Sequence, residues 1–138
     1  MGFKTFEEMN VWQNARKLTR IVSVYSKRAR EKRDWAWADQ IMRSALSIMA
    51  NIAEGHDALT NPEFSMFLGY AKRSSAETRS HLYYGLDEGY LSKEEFEEVA
   101  DITKLIGAQI AKLIRHLRNN SNPIAKENNE LTSHELTS

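Results

Sequence analysis

The stretch QIMRSALSIMANIAEG, residues 40 to 55, constrains the fold more than any other in the chain. It reads as helix throughout, and a polar residue recurs along it every three or four places: Gln40, Arg43, Ser47, Asn51 and Glu54. At 100° per residue these five fall within a sector of about 80°. The apolar residues, Ile41, Met42, Ala45, Leu46, Ile48, Met49, Ala50, Ile52 and Ala53, spread over about 200°. A helix in an isolated bundle needs a single apolar stripe and carries a polar outer face. So wide an arc is more than one bundle covers. It predicts that one side of this helix packs internally and another packs against a second copy of the chain.

The polar seam has two readings. In one it is a buried hydrogen-bonding ladder, with Ser75 and Thr78 on a neighbouring helix as partners, because buried polar groups must be paired. In the other it is the solvent face of an amphipathic helix.

Three further helices frame this one. Thr5 and Glu8 have capping-box spacing and predict a first helix from near Thr5, with Val11, Ala15, Leu18, Val22, Tyr25 and Ala29 on its apolar stripe. Asp34 suits the N-cap of the second helix and Gly55 the left-handed position after it. Asn61 as N-cap with Pro62 at the first helical position predicts the start of a third helix, carrying Phe64, Phe67, Leu68, Ala71, Ser75, Thr78, Leu82 and Leu86, and Gly89 stops it. Ser92 and Glu95 make a second capping box, with Leu91 and Phe96 as its hydrophobic staple. The fourth helix buries Val99, Ile102, Ile106, Ile110, Leu113 and Leu117. No stretch alternates at period two. The expected fold is an all-α, antiparallel up-and-down four-helix bundle over residues 1–118, followed by a disordered polar tail over 119–138.

Formal net charge is zero, so bulk charge does not advertise a polyanionic partner. The distribution is uneven. Arg16, Lys17, Arg20, Lys27, Arg28, Arg30, Lys32 and Arg33 are eight cations in a segment with one acid, Glu31. Arg16, Arg20 and Lys27 lie within about 40° of one another opposite the apolar stripe, and Arg28, Arg30, Lys32 and Arg33 extend the charge into the following loop. Such a strip is either a solvated face or a surface for phosphate contacts, and repetition around a cyclic oligomer would add the local potentials. Trp12, Trp35 and Trp37 are core or interface plugs, or platforms for base stacking.

Chemistry is sparse. The four histidines are scattered and cysteine is absent, so no metal-ligand set, cofactor site or thiol nucleophile is expected. Glu54 and Glu77 lack the histidine partners of a di-iron bundle and are read as ion-pair formers, Glu77 with Arg73. There is no phosphate loop and no nucleophile–base constellation, so no enzyme is expected. No run is long enough to span a membrane, and MGFKTFEEMN has no signal-peptide core. A bacterial-type cytoplasm is the expected location.

Three phrases carry a resemblance: FEEMNVWQNA (Phe6 to Ala15), Q-x-x-R-x-x-x-S-I-x-x-N-I-A-E-G (Gln40 to Gly55) and F-x-x-F-L-x-x-A-x-x-S-x-x-E (Phe64 to Glu77). Through them the chain, from about residue 3 to 118, is similar to the 23S ribosomal RNA intervening-sequence proteins, a bacterial four-helix-bundle family. The resemblance implies an up-and-down bundle assembled as a homopentamer, and it suggests contact with RNA. It also reaches the accessory variability proteins of diversity-generating retroelements, basic pentamers that bind reverse transcriptase and nucleic acid; the zero net charge departs from that pattern. Two functions are therefore expected in competition. One is a nucleic-acid-binding accessory that contacts RNA or DNA phosphates; the other is an adaptor oligomer that binds a protein partner.

Overall fold

The computed structural model describes residues 3–120, and every regular element among them is helical. Four long helices follow one another: α1 (Asn10–Glu31), α2 (Trp35–His56), α3 (Asn61–Asp87) and α4 (Lys93–Asn119). Each packs on its sequence neighbours, and α4 closes back on α1 across the slimmest seam. Side-chain bonds fix the antiparallel register. Ser26 Oγ donates to Ala38 O and Thr19 Oγ1 reaches Ala45 O between α1 and α2. Trp37 Nε1 donates to His81 O at 2.9 Å between α2 and α3, and Ser75 Oγ to Thr103 O between α3 and α4. Asn14 Nδ2 donates to Gln109 Oε1 between α1 and α4. This is the expected antiparallel four-helix bundle.

The expected stripes form the core. All six residues of the α1 stripe are buried, and Ile41, Ala45, Ile48 and Ile52 of α2 meet Leu68, Ala71 and Leu82 of α3 and Val99, Ile106 and Ile110 of α4. Burial of the Val, Leu and Ile side chains among them contributes about 1.5–3 kcal/mol each before chain entropy is set against it. The Ser92–Glu95 capping box is in place, and Leu91 and Phe96 are both buried beside it.

Four local expectations need correction. The Thr5–Glu8 box caps a short 3-10 turn, Phe6–Glu8; α1 itself starts at Asn10, because Met9 is extended and inserts into the core. Gly55 lies inside α2 rather than beyond it. A Cβ there would stand 2.9 Å from Phe64 Cδ1, so the glycine permits close approach of α3. Thr60 caps α3, its hydroxyl accepting from Glu63 N at 3.2 Å. Asn61 is buried in the first turn and donates to Asn120 O at 2.7 Å, closing the start of α3 on the end of α4. Helix α4 also runs through Asn119, one residue past the expected end of the bundle, and from residue 121 onward the expected tail lies outside the described residues.

Candidate nucleic-acid interface and polar seam

The basic segment divides into free and committed cations. Arg16, Arg20 and Lys27 are exposed along the outward face of α1 and make no ion pair among the described residues. Arg28 is different. Its Nη1 donates to Glu95 Oε1 at 2.9 Å and its Nη2 to Oε2 at 3.0 Å, and Nη1 also reaches Tyr90 O. This fork holds the Glu95 carboxyl at about 2, well below the usual carboxylate range, with the Ser92 N–H adding to the effect. Arg30 pairs with Asp39 and lies over the Trp35 ring. Lys32 and Arg33 are exposed in the turn. The seven cations of the strip and its extension thus form one open row of three, two residues tied to the bundle, and a two-residue corner.

The seam of α2 opens on the outside of the α2–α3 groove. Gln40, Arg43 and Glu54 are exposed in the single chain, while Ser47 and Asn51 are half-buried. Asn51 Nδ2 donates to Ser47 O at 2.9 Å and to Ser47 Oγ at 3.0 Å, and the Ser47 hydroxyl meets that of Ser74 at 2.9 Å. The two expected partners point elsewhere: Ser75 bonds Thr103 O, and Thr78 Oγ1 lies 2.9 Å from Ser44 Oγ. Ser44 is a buried residue that the seam reading passes over. It sits one position off the polar row, on the side facing α3, where a small hydroxyl among apolar neighbours gives no periodic signal.

Glu77 lies 3.5 Å from His81 Nε2, while Arg73 stacks over Tyr70, so the expected Glu77–Arg73 pair gives way to these contacts. Of the tryptophans, Trp37 is buried against Tyr90, Trp12 is half-buried against Phe6, and Trp35 is 52% exposed. The outer sector of α2 remains apolar, with Leu46 half exposed and Met42, Met49 and Ala53 half-buried around it. Tyr70, Tyr84 and Met66 are exposed on α3. Among the described residues no cluster of three or more His, Asp or Glu could hold a metal ion. No helix among them is long and apolar enough to cross a membrane.

These features define an antiparallel helical bundle with a charged outer strip and an uncovered apolar face. The family profile of the 23S rRNA-intervening sequence proteins matches residues 7–112, and the chain belongs to that family. No curated protein matches it. Among solved structures it is similar to a protein of unknown function from the S23 ribosomal protein family of Bacteroides thetaiotaomicron. The two share 27% identity with a TM-score of 0.70, over 75% of this chain and 97% of that one.

Proposed function

We propose that the protein is a non-catalytic oligomeric bundle that binds the phosphate backbone of RNA or DNA through the outer strip of α1. The observation that carries this reading is the line of Arg16, Arg20 and Lys27, exposed, aligned and without an ion pair among the described residues, while the neighbouring Arg28 and Arg30 are tied to carboxylates. Cations left without internal partners contribute little to folding and remain available for phosphate contacts. The family's name, which refers to sequences intervening in 23S rRNA, supports the choice of nucleic acid. The uncovered apolar sector around Leu46 supports self-assembly, for which the resemblance implies five copies, in the cytoplasm.

The test is a gel shift with structured RNA across a salt series. Affinity should fall steeply with salt and depend little on sequence. Reversing Arg16, Arg20 and Lys27 to Glu should abolish the shift while helicity is kept. Binding that survives the triple reversal rejects the strip. A second reading, an adaptor for a protein partner such as a reverse transcriptase, is favoured by the exposed Tyr70, Tyr84 and Met66 on α3, since aromatic and methionine side chains anchor protein interfaces.

A further inference from the structure

A second concentration of unpaired cations lies across the bundle from the α1–α2 side. Lys72 and Arg79 of α3 and Lys104 of α4 line one groove of about 300 Å³, whose remaining walls include Gly107, Ala108 and Ala111. No carboxylate lines it, and none of the three cations makes an ion pair among the described residues. The exposed acids of α4 are outside the lining, Asp101 one turn and Glu97 two turns before Lys104. In a chain of zero net charge, three cations and no carboxylate in the lining make the groove locally positive.

The small residues Gly107, Ala108 and Ala111 border open space. A Cβ on Gly107 would meet nothing within 4 Å, so the space above it is open groove rather than packed interior. A thin, highly charged chain can approach the helix backbones there. We infer that this groove is a second track for a nucleic-acid backbone, holding phosphate oxygens between Lys72, Arg79 and Lys104. The partner class rests on the function proposed above; the site itself does not.

Two considerations favour a nucleic-acid strand as the occupant. Lys72 and Arg79 are seven residues apart, about 10 Å along the helix, which is longer than one isolated phosphate group. The lining holds no aromatic or large apolar side chain, so a folded protein partner would find no anchor. The same absence predicts backbone contact without base stacking, hence little sequence preference.

The full chain should be titrated into a labelled oligouridine strand by fluorescence anisotropy, at low salt and along a salt series. Two variants probe the groove. Replacing Lys72, Arg79 and Lys104 together by Ala removes the charges; Gly107→Leu keeps them and fills the space in a position where helix propensity improves. The triple variant should weaken binding by roughly tenfold or more at low salt, and lower the slope of log affinity against log salt by about 2, at about 0.7 per phosphate contact. Gly107→Leu should weaken binding with helicity unchanged. Groove variants that bind as the parent does, while reversal of Arg16, Arg20 and Lys27 abolishes binding, overturn the groove and leave the α1 strip standing. Loss in the groove variants alone supports the groove and removes the strip. Absence of binding by the parent chain overturns both.

Discussion

Arg28 and Glu95 meet fork to fork, 67 residues apart in sequence, and the same carboxylate accepts the Ser92 N–H that begins α4. One side chain thus completes a helix cap and ties α4 to the last turns of α1. Held at about 2 against its usual 4.5, Glu95 contributes stability that is fully present above about pH 4.5 and is lost as pH falls through 2. Both side chains are more than a third solvated, or close to it, so solvent screens most of this effect. Glu95→Gln should cost about 1 kcal/mol at neutral pH and flatten the acid limb of the stability curve between pH 4.5 and 2. Thermal melts at several pH values in that window check it; an unchanged acid limb would show that the pair is not formed in solution.

Two turns in the bundle share one hydrogen-bond pattern with different residues at the strained position. After α3, Gly89 N bonds Leu86 O and Tyr90 N bonds Gly85 O, with Gly89 at φ 78°. After α1, Arg33 N bonds Arg30 O and Asp34 N bonds Ala29 O, with Arg33 at φ 64°. A Cβ is disfavoured there by about 1–2 kcal/mol, a penalty glycine avoids. Arg33→Gly should therefore raise stability by about 1 kcal/mol, read as a higher melting temperature. If the corner contacts phosphate, the same variant loses affinity for RNA as it gains stability. A lower melting temperature would contradict the left-handed turn.

The glycines separate close packing from open space. At Gly85 a Cβ would lie 2.5 Å from Trp37 Cζ2 and 2.7 Å from Leu91 Cδ2, both part of the buried end of the core. Gly85→Ala should cost about 1–3 kcal/mol by overpacking, with a changed near-ultraviolet signal from Trp37. Gly107→Ala meets nothing and should gain about 0.5–1 kcal/mol from helix propensity alone. Equal melting temperatures for the two variants would contradict the packing around Trp37.

Much of this was legible in the residues because it is local. Helix stripes follow from the 3.6-residue period, so Val11 to Ala29 and Val99 to Leu117 fall on the core where expected, with Ile102 half-buried at its edge. Asp34, Gly89 and Ser92 are caps whose chemistry acts within four residues. What escaped depends on the register between helices, which no single-helix pattern carries. Gly55 serves Phe64 across a helix pair, Asn61 serves Asn120 at the far end of α4, and Glu95 serves Arg28. The seam was visible as a polar row, but its link to Ser74 rather than Ser75 turns on a single helical step. The α3–α4 groove was missed for the same reason: Lys72, Arg79 and Lys104 are separated along the chain and meet only after folding.

Self-assembly through α2 is the remaining expectation of the apolar arc. Inside one chain the arc is only partly used: Ile41, Ile48 and Ile52 are buried, while Leu46 is 50% exposed with half-buried Met42 and Met49 beside it. Covering such a face removes apolar area from water at about 25 cal/mol per Å², a gain repeated at each interface of a ring. Leu46→Glu changes a half-exposed side chain, so it should shift the stability of the single bundle by about 0.5 kcal/mol or less. In the assembly it places a charge in an apolar contact. Light scattering on the parent protein should give a multiple of 15.9 kDa, and on Leu46→Glu a mass near 15.9 kDa with helicity retained. Leu105 is a useful comparison, because it is 48% exposed on α4 but stands with Glu98 and Asp101 on a charged face. Leu105→Glu should leave the mass of the assembly unchanged. A parent protein that scatters as a single chain at micromolar concentration would reject self-assembly, and dissociation by Leu105→Glu alone would move the interface from α2 to α4.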